Sequence, residues 1–362
     1  MFSGPCPVWT FRATALPRQL ALPSRSAPPT RRGNLRTRDT ALTMKLGVVS
    51  VFEAAPIITL QGGRCVTFTI LAADPQTGEL GVASFSFGLA VGAGIVHHSH
   101  TYGLVAVQAL GDPAWASRLL PNLASDAWSD AVAELSETPG FESGQVAGLS
   151  TSGDTFAFTG SDTEAFAGAA CEQNICCAAN LMAVDSLPVL VTDYFRSLDP
   201  QLSLASRLVQ SAHHADVLGG DVRGRMSAFV RTFHSDPEYR PVDLRVDCHP
   251  DAVVQLVHLV RIERAHRFLT SALDEQGRYA NVSATQAAYQ LAPESAVAAS
   301  AYLLARLRTE DLTDPELRAF TDELVRQQPC LPERLRRLES AGRLPAGTVE
   351  GLDLLEAPQR DA

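Results

Sequence analysis

The sequence predicts a layered α+β sandwich followed by an all-helical appendage, and three observations carry that prediction. Two strand pairs joined by short turns stand at 67–86 and 145–160. Groups of strands are separated by pairs of helices, which favours a sandwich over βαβ winding. From 250 to 345 the apolar spacing becomes helical throughout.

The first pair starts at Thr67. Thr67, Thr69 and Leu71 point one way and Phe68, Ile70 and Ala72 the other, in residue types that favour strands. Asp74-Pro75-Gln76-Thr77-Gly78 is a turn with Pro at its second position and Gly at its end, and it leads into LGVASFSF, which completes a hairpin. AVGAGIV and GLVAVQA, free of charge, read as two further strands covered on both faces. Asp112-Pro113 starts a helical stretch over 114–136, broken near Pro121, with Ser125 capping its second piece. QVAGLSTSGDTFAFTG is the second hairpin, turning at Thr151–Asp154. Residues 172–178 read as one strand, 179–214 as a helix pair interrupted at Asp199-Pro200, 219–233 as a Gly-rich turn and strand, and VDLRVD as the last strand. About four helices follow, with no clean 34-residue period. The expected division is an extension over 1–66, a sheet domain over 67–250, helices over 251–345 and a loose tail over 346–362.

The chain has 362 residues, 46% of them apolar, enough for a sizeable core. No run approaches the ~18 apolar residues of a membrane span. The net charge is −10, yet residues 1–43 hold seven Arg against Asp39, a local +6, so the remainder carries −16. An acidic body argues against nucleic-acid binding, which needs cations against phosphate. Lys45 is the only Lys, so Arg carries the body's fixed positive charge. Cys6, Cys65, Cys171, Cys176, Cys177, Cys248 and Cys330 are odd in number and scattered, which predicts reduced thiols in a cytoplasmic protein. Neither GxGxxG nor GxxxxGK[ST] occurs, so no nucleotide cofactor is expected. In His97-His98-Ser99-His100, only His98 and His100 share a strand face, and no carboxylate lies beside them, so no metal is expected either.

Residues 1–43 have the Arg, Ser and Pro content of a transit peptide, but prolines interrupt any amphipathic helix. QGGRCV before Thr67 can be encoded with a GGAGG core ahead of a GTG codon for Val66. Translation from Val66 and loss of the initiator would expose Thr67.

The motifs TFTILAADPQTGELGVA, FGLAVGA, GLVAVQALGDP, FAFTGSDTEAFAG, GGDVRGRMSA and VDLRVDCHPD, in order over roughly 67–255, resemble the bacterial domain of unknown function 1028 (DUF1028) family. That family is placed among the N-terminal nucleophile (Ntn) hydrolases. The resemblance implies a four-layer αββα sandwich, with two stacked antiparallel sheets between helix pairs, and no settled reaction. Its members' usual Met-Thr-Phe-Ser-Ile start falls on Val66 to Ile70. An Ntn Thr hydroxyl attacks a carbonyl while its own α-amine, of pKa about 7.7–8.0, takes the proton. Departures also stand out: Phe87 where a basic residue is usual, Ala169 for a His, Met226 for a Gln and Asp112 for an Asn.

These readings nominate Thr67 as nucleophile and Asn180 as an oxyanion donor, with capping of the next helix the alternative for Asn180. Ser86, Gln108, Asp221, Arg223 and Arg225 are nominated to bind substrate, the arginines by bidentate contact with an anionic group. The alternative there is a tight turn held by an Asp–Arg pair. No GxSxG elbow is present for a Ser-His-Asp triad. Two functions follow: hydrolysis of a small or cyclic amide by Thr67, or a catalytically lapsed scaffold that binds a small metabolite or a protein partner. Self-association through the sheet domain or the C-terminal helices is compatible with both.

Overall fold

The structure is a computed structural model that describes residues 67–123 and 127–352. The N-terminal extension, the proposed start at Val66, the Ser125 cap and the last ten residues lie outside the described residues. Among the described residues ten strands, all paired antiparallel, form two sheets: β1 (Thr67–Asp74), β2 (Glu79–Ser86), β3 (Val96–Ser99), β4 (Gly103–Ala109), β5 (Gly144–Ser150), β6 (Thr155–Thr159), β7 (Gly168–Glu172), β8 (Ile175–Ala179), β9 (Ser227–Phe233) and β10 (Asp243–Val246). The larger sheet runs β10-β9-β2-β1-β8-β7 and the smaller β3-β4-β5-β6. Helices α1 (Trp115–Leu119) and α2 (Trp128–Ser136) precede β5, and α3 (Leu187–Ser197) and α4 (Leu204–Val217) precede β9. The C-terminal region is helical: α5 (Ala252–Ser271), α6 (Val282–Leu291), α7 (Ala296–Thr309), α8 (Pro315–Gln327), α9 (Leu331–Ser340) and the short α10 (Thr348–Gly351).

β1 is buried along its whole length, as its sequence requires. Phe68, Ile70 and Ala72 pack with Leu187, Val191, Leu204, Leu208 and Leu256 from α3, α4 and α5. Leu71 and Ala73 face the other way, into a cluster with Leu104, Ala106, Ala147 and Leu149 of the smaller sheet. The far face of that sheet, through Val105, Val107 and Val146, packs on Trp115, Leu119, Trp128 and Leu135 of α1 and α2. Close approach of α4 depends on Gly81, where a Cβ would stand 2.6 Å from Leu208 Cδ1. The β1–β2 turn closes by a bond from Gly78 N–H to Asp74 O (2.8 Å), with Gly78 at φ +75°, a left-handed conformation that glycine adopts without strain. Asp74 also anchors the turn to α4 through a buried ion pair with Arg207 (2.6 Å).

Four local expectations change. AVGAGIV is not a strand over its length: Ala90 is left-handed, Val91–Ala93 form a 3-10 turn, and β3 begins only at Val96. Residues 172–178 are the end of one strand, a turn at Gln173-Asn174 and the start of the next, with Asn174 at φ 66°. Asn tolerates that conformation. The hairpin sets Cys171 opposite Cys176, and these two form a disulfide rather than free thiols. Finally, the segment after 346 holds α10, where Thr348 N–H bonds to Glu339 (3.0 Å) and Leu352 joins the core of the C-terminal helices. Among the described residues no helix is long and apolar enough to cross a membrane.

Candidate functional site

Four neighbouring strands of the larger sheet end together. Thr67 opens β1 and pairs with Ser86, which pairs in turn with Ser227 of β9. On the other side, Asn180 leaves β8 and its backbone N–H donates to Thr67 O (3.3 Å). The Thr67 backbone N–H donates to Asn180 Oδ1 at 3.2 Å, and Asn180 Nδ2 donates to Thr67 O (3.4 Å) and to Gln145 Oε1 (2.9 Å). From the facing sheet, Gln108 Nε2 reaches Gln145 Oε1 (2.6 Å), Thr67 O (3.3 Å) and Ala178 O (3.3 Å). Gln145 Nε2 donates to Thr159 Oγ1, Gly168 O and Ala179 O at 2.9–3.1 Å.

A buried amide network therefore joins the two sheets beneath Thr67. Thr67, Gln108, Gln145 and Asn180 are at most 2% exposed. Within it, two buried atoms have no hydrogen-bond partner among the described residues: Thr67 Oγ1 and Gln108 Oε1. Buried polar atoms are almost always satisfied, so two orphans in one cluster single out this place in the fold.

The network brings together Thr67, Gln108 and Asn180 of the nominated residues, and it shows what each does. Asn180 does not cap α3, which starts only at Leu187. Its amide is turned to the backbone of Thr67, so in this geometry it orients that residue. Ser86 sits beside Thr67 in register, but its Oγ accepts from Gly88 N–H (3.0 Å) while its carbonyl accepts from Met226 N–H (2.8 Å). Gln145 was not nominated. Its signal was a Gln opening an otherwise apolar strand, the counterpart of Gln108 near the end of β4, to which it pairs in register.

The Gly219–Arg225 loop flanks the same sheet end. Val222 N–H donates to Leu181 O (3.3 Å), Ala183 N–H to Gly220 O (2.9 Å), and Phe87 N–H to Asp221 Oδ2 (3.3 Å). Gly219 (φ +114°) and Gly224 (φ +104°) allow the path. Asp221 accepts from Arg223 N (2.9 Å), Nε (3.2 Å) and Nη2 (3.1 Å), so the pair holds the turn. The Arg223 guanidinium lies over the Phe87 ring at 5.3 Å. Arg225 pairs with Asp216 of α4 (3.1 Å). Burial pushes the Asp216 carboxyl above its usual range, with Arg225 opposing.

His98 and His100 lie on one face, their rings 5.4 Å apart at the other end of the sheets, in a cleft of about 260 Å³ with Gly78, Leu80, Phe233 and His234. Burial, then His100 and Arg231, hold the His98 imidazole below its usual value. Among the described residues no group of three His, Cys, Asp or Glu is placed to hold a metal ion.

Residues 67–256 match the model of a family described as a family of unknown function, DUF1028. Among solved structures, the crystal structure of protein SPO2555 from Silicibacter pomeroyi, described with the same family model, is similar at 30% identity with a TM-score of 0.49. That match covers 54% of this chain and 85% of the other. A search of curated proteins finds no match.

Proposed function

The chain belongs to the DUF1028 family, and from that premise we propose that its sheet domain is a four-layer αββα sandwich of the Ntn type that hydrolyses a small amide with Thr67. The layering is supported by three apolar clusters in sequence: helices on the larger sheet, sheet on sheet, and the smaller sheet on helices. One observation carries the chemistry. Thr67 opens a central strand with its Oγ buried and unpartnered among the described residues, while its backbone nitrogen is held 3.2 Å from Asn180 Oδ1.

Once Thr67 is the first residue, that nitrogen is an amine. The amine removes the hydroxyl proton as Oγ bonds to the amide carbon, then passes it to the departing nitrogen as the carbon–nitrogen bond breaks. Water hydrolyses the resulting ester and restores Oγ–H. Asn180 Oδ1 accepts one amine hydrogen, which orients the lone pair. Gln108 and Gln145 hold Asn180 and the Thr67 carbonyl in place.

A second reading, a scaffold without catalysis, is favoured by the 1% exposure of Thr67 and by Phe87 where the resemblance implies a basic residue. Intact-mass measurement of natively expressed protein separates the two. A mature species starting at Thr67 that forms an ester adduct with a small electrophilic amide, lost in Thr67→Ala, is the expected result. A stable chain retaining the residues before Thr67, or a free Thr67 that forms no adduct, removes the hydrolase.

A further inference from the structure

Resting on the hydrolase reading, we propose that the amide taken by this site is neutral and carries an apolar acyl group, which lies against a rim of Phe87, Leu89, Phe166 and Val222. These residues are 42%, 69%, 48% and 56% exposed, and they stand among the large apolar residues that the described part of the chain leaves open to solvent. All four stand on the segments that build the site. Phe87 and Leu89 follow Ser86, the register partner of Thr67. Val222 follows Asp221 and donates its N–H to Leu181 O beside Asn180, and Phe166 O accepts from Met182 N–H (3.1 Å) on the same segment.

Charge points the same way. Asp221 is matched by Arg223 and Asp216 by Arg225, and the Arg223 guanidinium lies on the Phe87 ring. An acyl group bearing a carboxylate would have to compete with these ion pairs, whereas a neutral chain leaves them intact. This displaces the anionic substrate that Arg223 and Arg225 suggest in sequence. A second copy of the protein seated on the same residues is the competing occupant, and the test below reads it as an outcome.

The test uses the chain beginning at Thr67 and its Thr67→Ala form, with calorimetry against acetanilide, hexananilide and succinanilic acid. The Thr67→Ala protein is expected to bind hexananilide at least tenfold more tightly than acetanilide, and succinanilic acid no more tightly than acetanilide. Phe87→Ser with Val222→Ser should shrink the hexanoyl advantage below threefold at an unchanged melting temperature. Absent binding, equal affinities, a succinyl preference, or a dimer in sedimentation that Phe87→Ser dissociates each overturn the rim. Turnover of hexananilide by the Thr67 form is read separately. The chain-length preference without turnover keeps the rim and removes the hydrolase; turnover without that preference does the reverse.

Discussion

At the scale of single residues, Gln145 is the hub of the site. Its Oε1 accepts from Gln108 and Asn180, and its Nε2 reaches three more oxygens. Replacing it by Leu leaves several buried groups without partners, at about 1–3 kcal/mol for each group orphaned. Gln145→Leu should therefore lower the midpoint of thermal unfolding by several degrees, whereas exposed Gln173→Leu should not. His98 offers a second check. Its lowered pKa predicts that its ring proton titrates below the ordinary imidazole value in an NMR titration. Because burial is the largest cause, His100→Gln with Arg231→Gln should move that titration upward without fully restoring it. An unmoved titration would show that the neighbouring charges are not felt.

At the scale of elements, the β1–β2 turn is tied to α4 by the Asp74–Arg207 pair, both side chains 10% exposed. Removing one member of such a buried pair costs about 3–5 kcal/mol because the other charge stays behind. Arg207→Met should lose that much in urea unfolding, while Arg207→Met with Asp74→Asn should recover a good part of it. The hairpins at β1–β2 and β5–β6 were legible because alternation and a Gly- or Pro-bearing turn coincide. The β7–β8 turn was not, because its punctuation is a single Asn, and the run CEQNICC otherwise reads as continuous strand. The smaller sheet's first strand was misplaced for a related reason: small apolar residues between Ala90 and Ile95 are equally at home in a tight turn. At the site, Thr67 and Asn180 were legible as residue types at strand ends. Gln145 left only a slight signal, a Gln in an otherwise apolar strand, since its partners come from both sheets and no spacing within one strand reveals them.

At the scale of the whole molecule, the cores run on past the end of the sheet domain. Ala252, Val253, Leu256 and Val260 of α5 belong to the cluster that buries β1 and α4, and Ala265 and Leu269 continue into the next cluster with α6 and α7. Burying three large aliphatic side chains is worth roughly 5–9 kcal/mol, comparable with the ~5–15 kcal/mol that holds a domain folded. A chain ended at residue 250 should thus lack a cooperative melting transition by circular dichroism, while one ended at 274 should keep it. The joint between the two sheets has a consequence of another kind. It is made of carboxamides, and carboxamides neither gain nor lose a proton in the working range of water. A base cradled by Gln108, Gln145 and Asn180 has no acidic or basic neighbour inside that cradle to add a second ionisation. Plotted against pH, turnover by a free Thr67 would rise once, as its ammonium sheds a proton, and then run level; a falling limb at high pH would mean that a group outside the cradle takes part.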